Sequence, residues 1–336
     1  MNIENILIIF FTLFNFLLIT YFDKIKFFHL NIDKPDLKRK LHKKAVPLAG
    51  GSIIILNLFI YFLISLFEPK IFFNEIIFDN TKSLILFFFT SCLIFILGFF
   101  DDKFDYSANL KFSFISILIL LILLLDKQLI IQVIKFSFLN REFYLSQYSI
   151  LFTCFCFLVF LNAFNMFDGI NLQASSYSLT IFLCIIIFYL DLFLAKIIFI
   201  SLLSYSFLNY KNKTFLGDSG SLLISFIIGY IFIKLYNLQL INFADEIVIY
   251  MLIPGIDLIR LFFKRILIKK NPLTSDRFHL HHLLLLKYSY FKSLLILYGL
   301  ITLPLVMNYF DINRILIITF LSLIYSMLLK IVLSKN

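Results

Sequence analysis

SLILFFFTSCLIFILGFFDDKFD, residues 83–105, decides the fold. From Ser83 to Phe100 no side chain carries a charge, and a run of that length crosses a bilayer only as a helix that satisfies its own backbone. Asp101 and Asp102 then end the run abruptly, and Asp105 follows one helical turn later. Carboxylates gain nothing by packing in hydrocarbon, so acids placed where a span stops mark a membrane face and raise the question of a site.

The same grammar repeats along the 336 residues, 61% of which are hydrophobic. Apolar runs predict eleven helices, near residues 4–22, 52–67, 83–100, 110–125, 149–164, 172–190, 194–210, 219–236, 246–264, 292–308 and 313–331. The expectation is an all-α polytopic membrane protein. No polar stretch is long enough for a soluble domain, so residues 1–336 are read as one integral-membrane unit. Residues 131–148 alternate instead, which suits a short hairpin outside the membrane.

Charge sets the expected orientation. The opening MNIEN lacks Lys and Arg, whereas the segment after the first helix is crowded with them, the reverse of a cleavable signal peptide. With the N-terminus outside, the inside loops hold 21 Lys and Arg and the outside loops 8, with Arg260 inside a helix. That imbalance follows the positive-inside rule and supports this orientation; the expected location is the inner (cytoplasmic) membrane. The net charge of +10 is then mostly a property of the cytoplasmic face, where it serves topology and attracts anionic lipid headgroups and nucleotide phosphates. Cys92, Cys154, Cys156 and Cys184 all fall in apolar runs and read as small core residues.

Under this topology the unusual polar motifs share one face. They are DKPDLKRKLHKKAVPLAGG (33–51), DDKFD (101–105), NAFNMFDGIN (162–171), FLGDSGS (215–221), PGIDLIR (254–260) and the HLHH loop (279–282). Seven of the nine glycines (Gly50, Gly51, Gly98, Gly169, Gly217, Gly220 and Gly255) lie in or beside these motifs. Asp101 and Asp105 share a helix face, which suits a ligand or simply a solvated helix end. Asn162, Asn165 and Asp168 recur every three residues, as a site stripe or an interhelix hydrogen-bond network. Asp218 opens the eighth helix, where its carboxylate suits a hard cation and nearby N–H groups suit phosphate, or where it caps the helix. His279, His281 and His282 lack a recognisable fourth zinc ligand, and with Asp276 and Arg277 beside them they read better as donors to phosphate or sugar oxygens than as a zinc site or a plain loop. Carboxylates, Asn oxygens and basic loops together form a parts list for Mg²⁺-assisted chemistry on a diphosphate.

In this order, from about Asp33 to Leu283, the motifs resemble those of the polyprenyl-phosphate N-acetylhexosamine-1-phosphate transferases. The His-x-His-His spacing is similar to the branch that uses UDP-linked N-acetylhexosamines, and less like the phospho-MurNAc-pentapeptide transferases with three consecutive histidines. The resemblance implies that undecaprenyl phosphate attacks the β-phosphorus of a UDP-sugar, GlcNAc by default, releasing UMP and starting a lipid-linked surface glycan. It implies Mg²⁺, with Mn²⁺ as a substitute, and no nucleic-acid partner; a homodimer rests on family analogy alone. By motif position, Asp101 and Asp102 would be the acidic pair near the lipid phosphate, with the question of a base open between them. Asn165 and Asp218 would hold the metal. Asp168, counted with the catalytic acids, and Asn171 would line the nucleotide pocket, with Phe215 stacking on uracil. His279, His281 and His282 would meet diphosphate and sugar, helped by His42 and Lys44. One departure stands out: where many members read Asp-Gly-(Ile/Leu)-Asp-Gly-Leu-Ala, this chain has Asp168-Gly169-Ile170-Asn171-Leu172-Gln173-Ala174. The missing second glycine puts the local backbone in question. The rival from another class is a transporter, disfavoured by polar groups at one face rather than the midplane.

Overall fold

A computed structural model describes residues 3–35, 44–67, 76–189, 192–272 and 278–334. Each of the eleven apolar runs forms a helix: α1 (Ile3–Thr20), α2 (Gly50–Phe67), α3 (Thr81–Phe104), α4 (Ala108–Leu125), α5 (Ser149–Phe167), α6 (Gln173–Cys184), α7 (Phe193–Tyr210), α8 (Gly217–Asn237), α9 (Ala244–Leu267), α11 (Tyr290–Tyr309) and α12 (Arg314–Leu333). The chain is an all-α polytopic membrane protein, and among the described residues nine helices are long and apolar enough to cross a bilayer. The other two are α6, which runs on into a wider π-helical turn at Ile185–Tyr189, and α9, which carries Asp257, Arg260, Lys264 and Arg265 in its second half. One helix was not expected: the histidine loop itself winds into α10 (Leu280–Lys287).

α8 is the axis of the bundle. Its whole span is buried, from Ser219 to Tyr236, and it packs on α2, α3 and α5. A helix apolar all round belongs inside, and the others expose their remaining faces as lipid-facing Phe, Leu and Ile. α1 joins the bundle against α7, and buried Asn15 and Asn57 tie it to α2 through an amide pair at 2.6 Å. In hydrocarbon such an amide needs a partner, which each supplies to the other.

Two small antiparallel pairs complete the frame. β1 (Ile32–Asp33) pairs with β2 (Val46–Pro47). The alternating segment forms the expected hairpin, β3 (Val133–Lys135) on β4 (Glu142–Tyr144), with Ile134 opposite Phe143. The hairpin is fastened to α8 and α9: the Lys135 N–H donates to the Tyr236 hydroxyl at 2.8 Å, and the Ser137 N–H to Asp245 Oδ1 at 2.8 Å. Near it buried Lys234 pairs with Asp79 and Asp126, both at 3.2 Å. Lys234 lies sixteen residues along α8 from Asp218, about 24 Å at helical rise, so the hairpin and the motifs occupy opposite poles.

Candidate active site

The motif pole is built from the ends of α3 and α5 and the starts of α2, α4, α6 and α8. Three of these elements approach until only hydrogen fits between them. A Cβ on Gly98 of α3 would lie 2.5 Å from Ser219 Cα, and one on Gly51 of α2 would lie 2.6 Å from the Gly220 nitrogen. Small residues at these crossings let the backbones touch, so the acids of α3 reach the first turn of α8.

Asp102 fills that first turn. Its Oδ1 accepts from the Asp218 N–H at 2.7 Å and its Oδ2 from the Ser219 N–H at 3.1 Å, a helix cap supplied from another segment. The carboxylate meets the positive end of the α8 dipole, and it occupies the N–H groups that the sequence suggested for phosphate. Gly217 makes the approach possible: its φ is +73°, which glycine adopts freely, and a side chain there would strike Asp102 Oδ2 at 2.7 Å. Asp218, not Asp102, is left facing the site.

A lysine stands at the centre. Lys111, in the first turn of α4, places its ammonium 2.8 Å from Asp101 Oδ2, 2.6 Å from Asp218 Oδ2 and 3.3 Å from Asn165 Oδ1. Asn165 in turn donates to Asp218 Oδ1 and Ser221 Oγ, each at 2.7 Å. Asp101 Oδ1 accepts from the Tyr106 N–H at 2.9 Å, closing the turn between α3 and α4. Asn165 and Asp218, expected to hold a metal together, are joined here by a direct hydrogen bond. The three-residue stripe itself divides, because Asn162 turns back to the Leu158 carbonyl of its own helix at 2.7 Å.

Asp168 ends α5 and differs from the other three acids. Among the described residues no hydrogen bond holds its side chain, and burial, with the nearby Asp218 charge second, pushes its carboxyl up to about 7. The next residue, Gly169, touches His281: a Cβ there would meet the imidazole Nε2 at 1.8 Å. His281 is buried, and burial together with His282 and His279 holds its imidazole well below the usual histidine range, so the ring is neutral. Gln173 Nε2 lies 3.4 Å from His281 Nδ1, the ring nitrogen turned away from Gly169.

The departure at 171–173 has a definite structure. Leu172 sits at φ +65°, the left-handed region that glycine would take without cost, and its N–H is anchored on Asn209 Oδ1 at 2.7 Å. Asn171 spends its amide NH₂ on Asn212 Oδ1 at 2.7 Å and the Asn209 carbonyl at 3.1 Å, while its own carbonyl accepts from the Tyr290 hydroxyl at 2.7 Å. In this structure its amide joins α6 to the end of α7.

His279 is oriented by a residue that sequence reasoning passed over. Asp257 Oδ2 lies 2.7 Å from His279 Nδ1, and its Oδ1 accepts from Arg260 Nη2 at 2.7 Å, from the Leu280 N–H at 3.3 Å and from the Tyr325 hydroxyl. A carboxylate on Nδ1 fixes the ring and leaves Nε2 for other partners. His279 and His281 stack nearly parallel, 5.6 Å apart, and His282 lies 4.2 Å from His281. Phe215 is half-buried beside Gly217, its backbone pinned to the β2 strand and α2 by bonds of 2.9 Å to Pro47 and 3.0 Å from Gly50. Lys44 is exposed just ahead of β2, and His42 lies outside the described residues. Asp257 falls in the PGIDLIR motif quoted above, and Lys111 lies six residues beyond DDKFD; the signal for each was a single charge that topology or helix capping could also explain.

The glycosyl transferase family 4 model matches residues 84–236, which hold Asp101, Asp102, Lys111, Asn165, Asp168 and Asp218. The chain is similar to undecaprenyl-phosphate alpha-N-acetylglucosaminyl 1-phosphate transferases of several bacteria. It is 24% identical over 267 residues to that of Salmonella typhi, covering 76% of this chain and 69% of the relative. It is 26% identical over 270 residues to that of Escherichia coli K12, with the same coverage. It is 28% identical over 272 residues to that of Thermotoga maritima, covering 79% and 77%. The acids of α3, α5 and α8 that gather at one pole lie inside the matched region, and over that region the chain is similar to glycosyl transferase family 4.

Proposed function

We propose that this protein transfers an N-acetylhexosamine 1-phosphate, GlcNAc by default, from a UDP-sugar to undecaprenyl phosphate, at a site facing the cytoplasm. The observation that carries the reading is the cluster of Asp101, Asn165 and Asp218 oxygens around one cation at the end of the bundle, in a chain whose relatives bear that activity in their names. A lipid substrate also needs an apolar approach. A groove of about 270 Å³ runs between α3 and α4, lined by Leu93, Ile96, Phe100, Tyr106, Phe114 and Ile117. Its Phe100 and Tyr106 flank Asp101 in sequence, so a lipid tail lying there would bring its phosphate beside the acids.

The oxygens fit a magnesium ion. Asp218 and Asn165 offer hard donors from two helices, with Asp101 alongside, and they already draw a positive group into their midst. Mg²⁺ favours few protein ligands and completes its shell with water and phosphate oxygens. When bound, it would neutralise diphosphate charge against the incoming anion.

The protein's own work is positioning. An oxygen of the lipid phosphate forms a bond to the β-phosphorus while the bond from that phosphorus to the bridging oxygen breaks, and UMP leaves with the bridging oxygen. The nucleophile is already ionised, since a phosphate monoester loses its second proton near pH 6, so no strong base is required. Asp102 holds the α8 turn so that Asp218 faces the site. Asp257 orients His279, and neutral His281 presents Nε2 over Gly169. Preset donors of this kind stabilise developing charge without reorganising.

Purified protein incubated with undecaprenyl phosphate, Mg²⁺ and a panel of UDP-N-acetylhexosamines should release UMP only when lipid is present, and EDTA should stop it. Lipid-independent release, or none from folded protein across the panel, would reject the reading.

A further inference from the structure

Lys111 is held as a resident ion would be. Its ammonium is bonded by Asp101, Asn165 and Asp218, from three different helices, and its side chain is only 14% exposed. Asp218 Oδ2, at 2.6 Å, and Asn165 Oδ1, at 3.3 Å, are oxygens that the proposed function assigns to a divalent cation. Both cannot hold a lysine and a metal at first-contact distance, because two positive groups sharing an oxygen repel strongly where water is scarce. The neighbouring acid offers no alternative seat: Asp102 is committed to the first turn of α8.

We infer that Lys111 is an internal counter-cation of the metal site: it neutralises Asp101 and Asp218 while the metal is away and must leave Asp218 when a divalent ion arrives. Metal binding is then an exchange of cations rather than a simple addition, and the site pays for its metal-free stability with metal affinity. This rests on the metal-assisted reading above. Lysine suits the task, since its charge sits on a flexible four-carbon stem that can swing clear, whereas a rigid guanidinium would hold its carboxylates by two donors at once.

The test measures metal binding directly, without turnover. Mn²⁺ is titrated against detergent-purified protein, with free Mn²⁺ followed by electron paramagnetic resonance, for the wild type, Lys111→Met, Lys111→Arg and Asp218→Asn. The expected result is that Lys111→Met binds Mn²⁺ roughly tenfold more tightly or better, Lys111→Arg binds no more tightly than wild type, and Asp218→Asn loses the site. Thermal melts supply a second reading: in EDTA, Lys111→Met should melt lower than wild type, and added Mn²⁺ should raise its Tm more than it raises the wild type's. Equal or weaker Mn²⁺ binding by a folded Lys111→Met overturns the counter-cation role and leaves the metal reading intact. Absence of a bound Mn²⁺ in both proteins overturns the metal reading and this inference with it.

Discussion

Leu172 carries a cost that its neighbours offset. A non-glycine residue in the left-handed region costs about 1–2 kcal/mol. Here the Asn209 side chain on its N–H and the Asn171 amide on the end of α7 hold it in place. Leu172→Gly should therefore raise Tm in detergent, with a net gain of up to about 1 kcal/mol once the entropy of a freer unfolded chain is subtracted. Leu172→Ala should show no such gain, because alanine keeps the clash; a gain equal to glycine's would mean the backbone is not strained. Asp168 makes a prediction of opposite character. Its carboxyl is raised from 3.8 to about 7, so between those values the folded chain keeps a proton that the unfolded chain has released. Stability then falls as pH rises from about 4 to about 7 and loses nothing more from this group above that. Melts across that interval in EDTA should show a slope that Asp168→Asn removes. A slope unchanged in the variant would assign it to other groups. The missing second glycine flagged the backbone at 172 in the sequence, but neither its φ angle nor the proton on Asp168 was legible there: a φ angle and a desolvation depend on which helix ends close around a residue.

At the scale of elements, the crossing of α2, α3 and α8 decides whether the acids meet. Gly98→Ala would put a methyl 2.5 Å from Ser219 Cα, backbone that cannot rotate aside, so α3 and α8 must separate. Overpacking of this kind costs about 1–3 kcal/mol, and the displacement loosens the Asp102 cap on α8. UMP release should drop by about 100-fold or more, a loss typical of catalytic groups misplaced by about an ångström, while the protein still inserts and purifies. Gly255→Ala and Gly299→Ala, whose added methyls meet nothing, should leave both Tm and release near wild type. If Gly98→Ala behaved like these two, the close packing would not govern the site. The helices themselves were plain in the sequence, since eighteen uncharged residues admit no other solution in a bilayer. What the periodicity hid was the use of each polar end. Asp102 was read with Asp101 as the acidic pair near the lipid phosphate, yet its partner is the first turn of a helix more than a hundred residues on. Lys111 looked like a topology charge, and the short α10 was lost because a two-turn helix leaves too little periodicity to see.

The whole molecule divides its polar groups between two poles. One holds the acids, the histidines and most of the basic residues; the other holds the hairpin and the buried Lys234, Asp79 and Asp126 group. By the positive-inside rule the first pole is predicted to face the cytoplasm, and the proposed donor, a soluble nucleotide sugar, requires that orientation. The prediction can be checked without activity. In a background with the four cysteines replaced, Asn140→Cys at the tip of the hairpin and Lys270→Cys beyond α9 are both exposed and lie at opposite poles. An impermeant maleimide should label Asn140→Cys in intact cells, and Lys270→Cys only after the membrane is opened. The reverse pattern would place the acidic centre outside, away from UDP-sugars, and would sink the proposed reaction however well the site residues fit it. Labelling of both in intact cells would mean that one of the two segments is not at the pole the helices assign to it; Asp245→Ala, which removes the tie to Ser137, should free the hairpin without changing the accessibility of Lys270→Cys.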